Sequence, residues 1–201
     1  MKKLATFLVL AIVSCVPAMA SADLLATHPT GGLYYESPAG TIGTSFIVAS
    51  TSPLSVYQLG IYDYNLSGPH TVGLWDSVGH LLVSATIPTA ANTVDGFKWV
   101  DIPSVVLSPS GQYTVGAYYP NTSEWFVDSA TISPLFHVIA GVYHDDTVGQ
   151  AGLYWPTDGY NQSGFFSANL SAAPVPEPAT VFLLGMGILG LAGFRKRVHK
   201  A

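Results

Sequence analysis

The sequence predicts an all-β protein, an antiparallel, jelly-roll-like β-sandwich flanked by an N-terminal signal helix and a C-terminal hydrophobic helix. Three observations point there. Charged residues make up only 9% of the 201-residue chain, too few for the exposed faces of a helical bundle. The chain holds 20 Gly and 14 Pro beside 12% aromatics, a composition that suits short strands joined by turns and argues against disorder. Between residues 23 and 173, short apolar segments bounded by Gly, Pro, Asn and Ser recur about every 8–12 residues, with no heptads and no helical period. The chain divides into a signal peptide (1–22), a β-sandwich domain (23–173) and a tail (174–201).

Met1-Lys2-Lys3 is a positive n-region and Leu4 to Val16 an apolar run. Pro17 breaks that run ahead of the small-x-small site Ala18-Met19-Ala20, and Ala20-Ser21-Ala22 is a second such site. This leader suits a signal peptidase and is too short to span a bilayer permanently. Cys15 is the only cysteine, so the mature domain has neither disulfide nor thiolate. Ile12-Val13-Ser14-Cys15 resembles a bacterial lipoprotein box, which implies acylation of Cys15 as an alternative to cleavage downstream.

In the body, strands are expected at Thr44–Ala49, Val56–Tyr62, His70–Trp75, Leu81–Ile87, Phe97–Val106, Gln112–Tyr119, Trp125–Val127, Phe136–Tyr143 and Gly164–Leu170. Gln112 to Tyr119 alternates best, with Tyr113, Val115, Ala117 and Tyr119 on one face. Asn65-Leu66-Ser67-Gly68-Pro69, Ser77-Val78-Gly79-His80 and Ser108-Pro109-Ser110-Gly111 carry turn chemistry.

The tail opens with Pro174, Pro176 and Pro178, an extended and helix-incompatible linker. The apolar, Gly-rich run from Ala179 to Phe194 would measure about 24 Å as a helix. Arg195-Lys196-Arg197 follow it and would stay cytoplasmic, with the body outside. Val-Pro-Glu-Pro-Ala, the short Gly-rich helix and the basic cluster, in that order, resemble the PEP-CTERM sorting signal. The resemblance implies recognition of Pro176, Glu177 and Pro178 by an exosortase, transient anchoring in the inner membrane of a Gram-negative-type bacterium, and release or transfer to the cell surface. It also implies a host that makes exopolysaccharide. A plain single-span anchor would give the same topology.

Ile42 to Tyr119 carries a second resemblance. His70-Thr71-Val72-Gly73-Leu74-Trp75 leads into Gly79-His80-Leu81-Leu82, then Gly96-Phe97-Lys98-Trp99 and Gly111-Gln112-Tyr113-Thr114-Val115. The order is similar to that of a family of secreted bacterial β-sandwich domains of uncharacterised function. Phe97 stands where that family usually has Trp, with Trp99 two residues on. The resemblance implies fold and secretion and supplies no reaction.

The formal net charge of −5 hides an asymmetry. Between residues 23 and 178 lie all twelve acids and one base, Lys98, a formal −11. Such a body repels nucleic acid and anionic membranes. His144-Asp145-Asp146 is the densest run of metal-ligand side chains, but adjacent residues point different ways and no distant partners are spaced to join them. No cofactor is expected; a structural Ca²⁺ is compatible with such a sandwich but nothing indicates it, and the metal content is left open. Glu36, Glu124 and Glu177 are the only Glu, no spacing pairs two carboxylates, and no Gly-x-Ser-x-Gly occurs.

Two loops combine aromatics with polar side chains: Leu153 to Gln162, and Tyr118 to Trp125. Aromatic faces stack on sugar rings while Asp and Asn bond their hydroxyls, so Tyr154, Trp155, Asp158, Tyr160 and Trp125 are candidate glycan contacts. More often, Tyr and Trp near strand ends simply cap a sandwich core. The expectation is a non-enzymatic, exported envelope or matrix protein. A carbohydrate-binding module for exopolysaccharide is the alternative, and a secreted glycan hydrolase a third.

Overall fold

The computed structural model describes residues 23–30, 33–34, 39–64, 66–120, 125–146, 151–160 and 164–174. The signal helix expected within 1–22 and the hydrophobic helix expected within 180–194 lie outside these residues, as do Cys15, Pro176, Glu177, Pro178, Arg195, Lys196 and Arg197. Among the described residues no helix is long and apolar enough to cross a membrane.

The described chain is all strand and turn. Its strands are β1 (Asp23–Leu24), β2 (Ala26–Thr30), β3 (Leu33–Tyr34), β4 (Gly40–Val48), β5 (Leu54–Tyr62), β6 (His70–Asp76), β7 (Leu81–Ile87), β8 (Thr93–Val94), β9 (Phe97–Leu107), β10 (Gln112–Tyr119), β11 (Trp125–Phe126), β12 (Ser129–Ile132), β13 (Phe136–Asp145), β14 (Asp158–Tyr160) and β15 (Ala168–Pro174). A five-stranded sheet runs β1-β15-β5-β9-β8, and a six-stranded sheet runs β14-β13-β4-β10-β6-β7. All pairings are antiparallel. The chain passes between the sheets at β4–β5, β5–β6, β7–β8, β9–β10 and β14–β15. Two small ladders, β11–β3 and β12–β2, lie apart from the main sheets.

One core lies between the sheets. Leu54, Leu59, Ile61 and Leu170 from one meet Ile42, Phe46, Leu74 and Val115 from the other, all at 1% exposure or less. The alternation expected of Gln112–Tyr119 holds: Val115, Ala117 and Tyr119 are buried, and Tyr113 packs against the core. His70, also buried, sets its ring 5.2 Å from that of Tyr119, and its Nδ1 lies 2.9 Å from the Gly68 carbonyl.

Local chemistry explains the turns. Asp76 accepts the N–H groups of Val78 and His80 at 3.0 and 2.9 Å, so its side chain holds the β6–β7 hairpin while Gly79 takes φ +87°. Asp95 and Gly96, at φ +51° and +80°, form the primed two-residue turn that joins β8 to β9.

The last body strand differs from expectation: it begins at Ala168 rather than Gly164 and runs on to Pro174. The reason is Thr44, whose Oγ1 donates to the Phe165 carbonyl at 2.9 Å and accepts its N–H at 3.1 Å. That holds residue 165 out of a ladder. Pro174 is tolerated because it ends the strand, opposite Leu54. Within the expected loop 153–162, Asp158–Tyr160 forms a short edge strand on β13. At the edge of the five-stranded sheet, Asp23 pairs with Ala172 and Leu24 with Ser171, so the body begins and ends side by side.

Candidate functional site

The outer face of the five-stranded sheet carries a groove of about 540 Å³. Strand pairing builds it in two adjacent rows. Leu24 pairs with Ser171, Ser171 with Gln58 and Gln58 with Asp101, across four strands. Two residues along, Asn169 pairs with Gly60 and Gly60 with Trp99. The intervening Leu59 and Leu170 are fully buried in the core, so side-chain alternation directs both rows away from it.

Gly60 makes the seat for Trp99. A Cβ on Gly60 would lie 2.7 Å from Cε3, 2.7 Å from Cζ3 and 3.0 Å from Cδ2 of the indole. These near-equal distances mean the ring lies flat on the glycine; Trp99 stays half-exposed, with the Phe97 ring 5.9 Å away. The indole N–H donates to the Val94 carbonyl at 3.1 Å, and the Trp99 backbone N–H to the Asn92 carbonyl at 3.2 Å. Beside the ring, Gln58 Nε2 donates to Asp101 Oδ1 at 2.8 Å. The pair leaves Gln58 Oε1 and Asp101 Oδ2 as acceptors. Among the described residues, Asp101 is the only carboxylate lining the groove.

Composition made the aromatic loops conspicuous and left this groove unmarked. Trp99 stood out only as a displaced family Trp. The signal that would have found the groove is the small residue Gly60 facing a Trp across a strand pair, which needs the register.

The sequence-predicted glycan contacts lie elsewhere. On the outer face of the six-stranded sheet, Gly43, Gly116 and Gly73 form a row across β4, β10 and β6. Trp75 lies over it: a Cβ on Gly73 would meet its Cη2 at 2.6 Å and Leu153 Cδ2 at 2.9 Å. The segment after Gly152 thus covers the glycine row. Tyr154 donates its N–H to Thr41 Oγ1 at 3.1 Å and sets its ring 5.3 Å from that of His144, with 39% exposure. Trp155 packs against Gly79, and its buried Nε1 has no hydrogen-bond partner among the described residues. Asp158 is exposed on β14 opposite Tyr143, Tyr160 stands opposite Gly141, and Trp125 lies on the separate β11–β3 ladder opposite Tyr34. Tyr154 and Trp155 therefore share one covering segment, and the backbone of Trp125 belongs to another part of the fold.

The His144-Asp145-Asp146 run splays. His144 turns to Tyr154, while Asp146 Oδ2 accepts the Tyr118 hydroxyl at 2.9 Å. Burial first, and then the Asp146 carboxylate, push the Tyr118 phenol above its ordinary value. Among the described residues no group of three or more His, Cys, Asp or Glu stands close enough to hold a metal ion.

Lys98 is engaged by Asp63 at 3.0 Å, and Thr93 donates to the same carboxylate oxygen at 2.7 Å. Desolvation works to raise the Asp63 carboxyl, but these two donors outweigh it and hold it below the ordinary range.

With this geometry in hand, comparison with known proteins gives two matches. The family described as "Domain of unknown function (DUF4082)" matches residues 26–167, and the chain belongs to it. The PEP-CTERM protein-sorting motif matches residues 174–197, spanning Pro176, Glu177, Pro178 and Arg195, Lys196, Arg197. The motif marks an exported chain, anchored transiently in a membrane and processed by an exosortase. No curated protein and no solved structure matches the chain.

Proposed function

We propose that this DUF4082-family chain is a non-enzymatic protein of the cell envelope or extracellular matrix, delivered there by its PEP-CTERM tail from a Gram-negative-type cell. Signal peptidase removes the leader, and the exosortase acts at Pro176-Glu177-Pro178. The observation that carries the non-enzymatic reading is the lining of the groove: a seated indole, an amide and one carboxylate. Such a surface binds and orients, and among its described residues no second carboxylate completes the pair that glycoside hydrolysis needs. The acid-rich body, with its one Lys engaged by Asp63, suits a soluble surface component that keeps clear of nucleic acid and anionic lipid.

The test is the intact mass and cell fraction of the protein in an exosortase-positive host. The expected product begins at Ser21 or Asp23, lacks the tail beyond the motif, and sits in the surface or extracellular fraction. Replacing Pro176-Glu177-Pro178 with Ala should leave a full-length tail held in the inner membrane. Unchanged processing of that variant overturns the sorting route. Hydrolysis of glycans by the purified wild-type protein, abolished in Asp101→Asn, overturns the non-enzymatic reading.

A further inference from the structure

We infer that the Trp99 groove is a binding site for uncharged glycans. Three features of the site argue for a sugar. A pyranose ring presents an apolar face of axial C–H groups edged by hydroxyls, and it needs a flat aromatic platform with hydrogen-bonding groups beside it. Trp99 supplies the platform: its ring lies flat on Gly60 and is locked through its N–H to Val94, so little ordering entropy is lost on binding. Gln58 and Asp101, already bonded to each other at 2.8 Å, supply fixed acceptors next to that ring. Leu24 from β1 and Asn92 and Val94 from the segment ahead of β9 form the walls. The volume of about 540 Å³ falls within the usual range for small-molecule sites, about 300–1,000 Å³.

Charge narrows the class. The groove's described lining carries a carboxylate and no cation, on a body whose residues 23–173 hold eleven acids and one Lys. An anionic polysaccharide is repelled from such a face, whereas a neutral one is not. The inference is independent of the sorting route, since every residue named lies in the body.

The experiment uses the mature protein purified from its exporting host. Two-dimensional amide and indole NMR spectra are recorded with cellohexaose, laminarihexaose and mannohexaose as neutral probes, and with oligogalacturonate as the anionic one. At least one neutral probe is expected to shift the Trp99 indole resonance. Trp99→Ala should weaken that binding about tenfold or more, a change of at least one decade in Kd. Because Trp99→Ala also removes packing from the β5–β9 pair, Gln58→Ala and Asp101→Ala, both on the groove floor, are tested beside it. Each should weaken binding severalfold with an unchanged spectrum elsewhere. Trp155→Ala and Tyr154→Ala should leave the Kd as it was. Absence of any shift at roughly 10 mM of every neutral probe, ten times a Kd of 1 mM, overturns the inference. So does binding that Tyr154 or Trp155 controls and Trp99 does not. Oligogalacturonate binding as tightly as the neutral probes overturns the restriction to uncharged glycans.

Discussion

Asn169 bonds both backbone groups of Ala26: its Oδ1 accepts the Ala26 N–H at 3.2 Å, and its Nδ2 donates to the Ala26 carbonyl at 2.7 Å. Both residues are fully buried, 143 positions apart in the chain. The same Oδ1 also accepts the Leu170 N–H at 2.9 Å. One amide thus ties the start of the body to its last strand. Asn169→Ala should cost roughly 2–4 kcal/mol, because it orphans buried donors and an acceptor together. Asn169→Asp keeps the acceptors, loses the donor and buries a charge, so it should be no milder. Urea denaturation, read as a lower midpoint at unchanged slope, checks both.

Glycines divide sharply by what surrounds them. A Cβ on Gly43 would meet the Val115 carbonyl oxygen at 2.2 Å and Gly116 Cα at 2.7 Å, both backbone atoms that cannot swing aside. Gly43→Ala should cost about 2 kcal/mol or more by forcing β4 and β10 apart. Gly68, with nothing within 4 Å of its would-be Cβ, should accept Ala at no cost beyond about 0.5 kcal/mol. Paired thermal melts separate the two.

The β8–β9 turn gives a conformational test. Gly96→Ala places a side chain at φ +80° with Pro29 Cγ at 3.1 Å, and should cost about 1 kcal/mol. Asp95 sits at φ +51° and its Oδ2 accepts the His28 N–H at 2.8 Å. Asp95→Asn preserves both the αL tolerance and an acceptor and should be within about 0.5 kcal/mol of wild type, whereas Asp95→Ala loses both. Chemical denaturation of the three variants should rank Asn first.

Acid should weaken the fold through Asp63. Its carboxyl is depressed in the folded state, so its contribution is present above the unfolded value near 3.9 and is lost as pH falls through the lower folded value. Asp76 shifts the same way: desolvation opposes, but the donors from His80 and Val78 prevail. Lys98→Met should raise the Asp63 value in a carboxyl NMR titration and destabilise by up to about 1 kcal/mol at pH 7. That loss should shrink as pH falls through the depressed folded value of Asp63, below which the carboxyl is neutral in both proteins. A pH-independent loss would mean the Lys98 stem, not its charge, matters.

Much of the fold was legible because long strands advertise themselves. Leu81–Ile87 and Gln112–Tyr119 begin and end where alternation and turn residues place them. Of the shortest strands, β11 was expected as Trp125–Val127, but β1, β3 and β8 were not, because two residues cannot display a period. β8 did carry a local sign, Asp95-Gly96, the strongest short hairpin signal there is. The groove was illegible for a different reason. Trp99, Gln58 and Leu24 become neighbours only through registers between distant strands, which a single sequence does not encode locally. Tyr154 and Trp155 drew attention by crowding within one segment, yet their rings pack on His144 and Gly79.

The pairing of β1 with β15 bears on the order in which the protein is made. β15 is the last strand before the sorting motif, yet it occupies an interior place, between β1 and β5. An exported chain emerges from the translocon amino end first. Until Ala168–Pro174 emerges, β5 has an open edge and Leu24 has no strand to lie against. Vectorial passage therefore keeps the sandwich unfinished almost to the moment the motif reaches the membrane. Closure of the domain, and completion of the groove wall that Leu24 provides, wait for the last residues ahead of the motif.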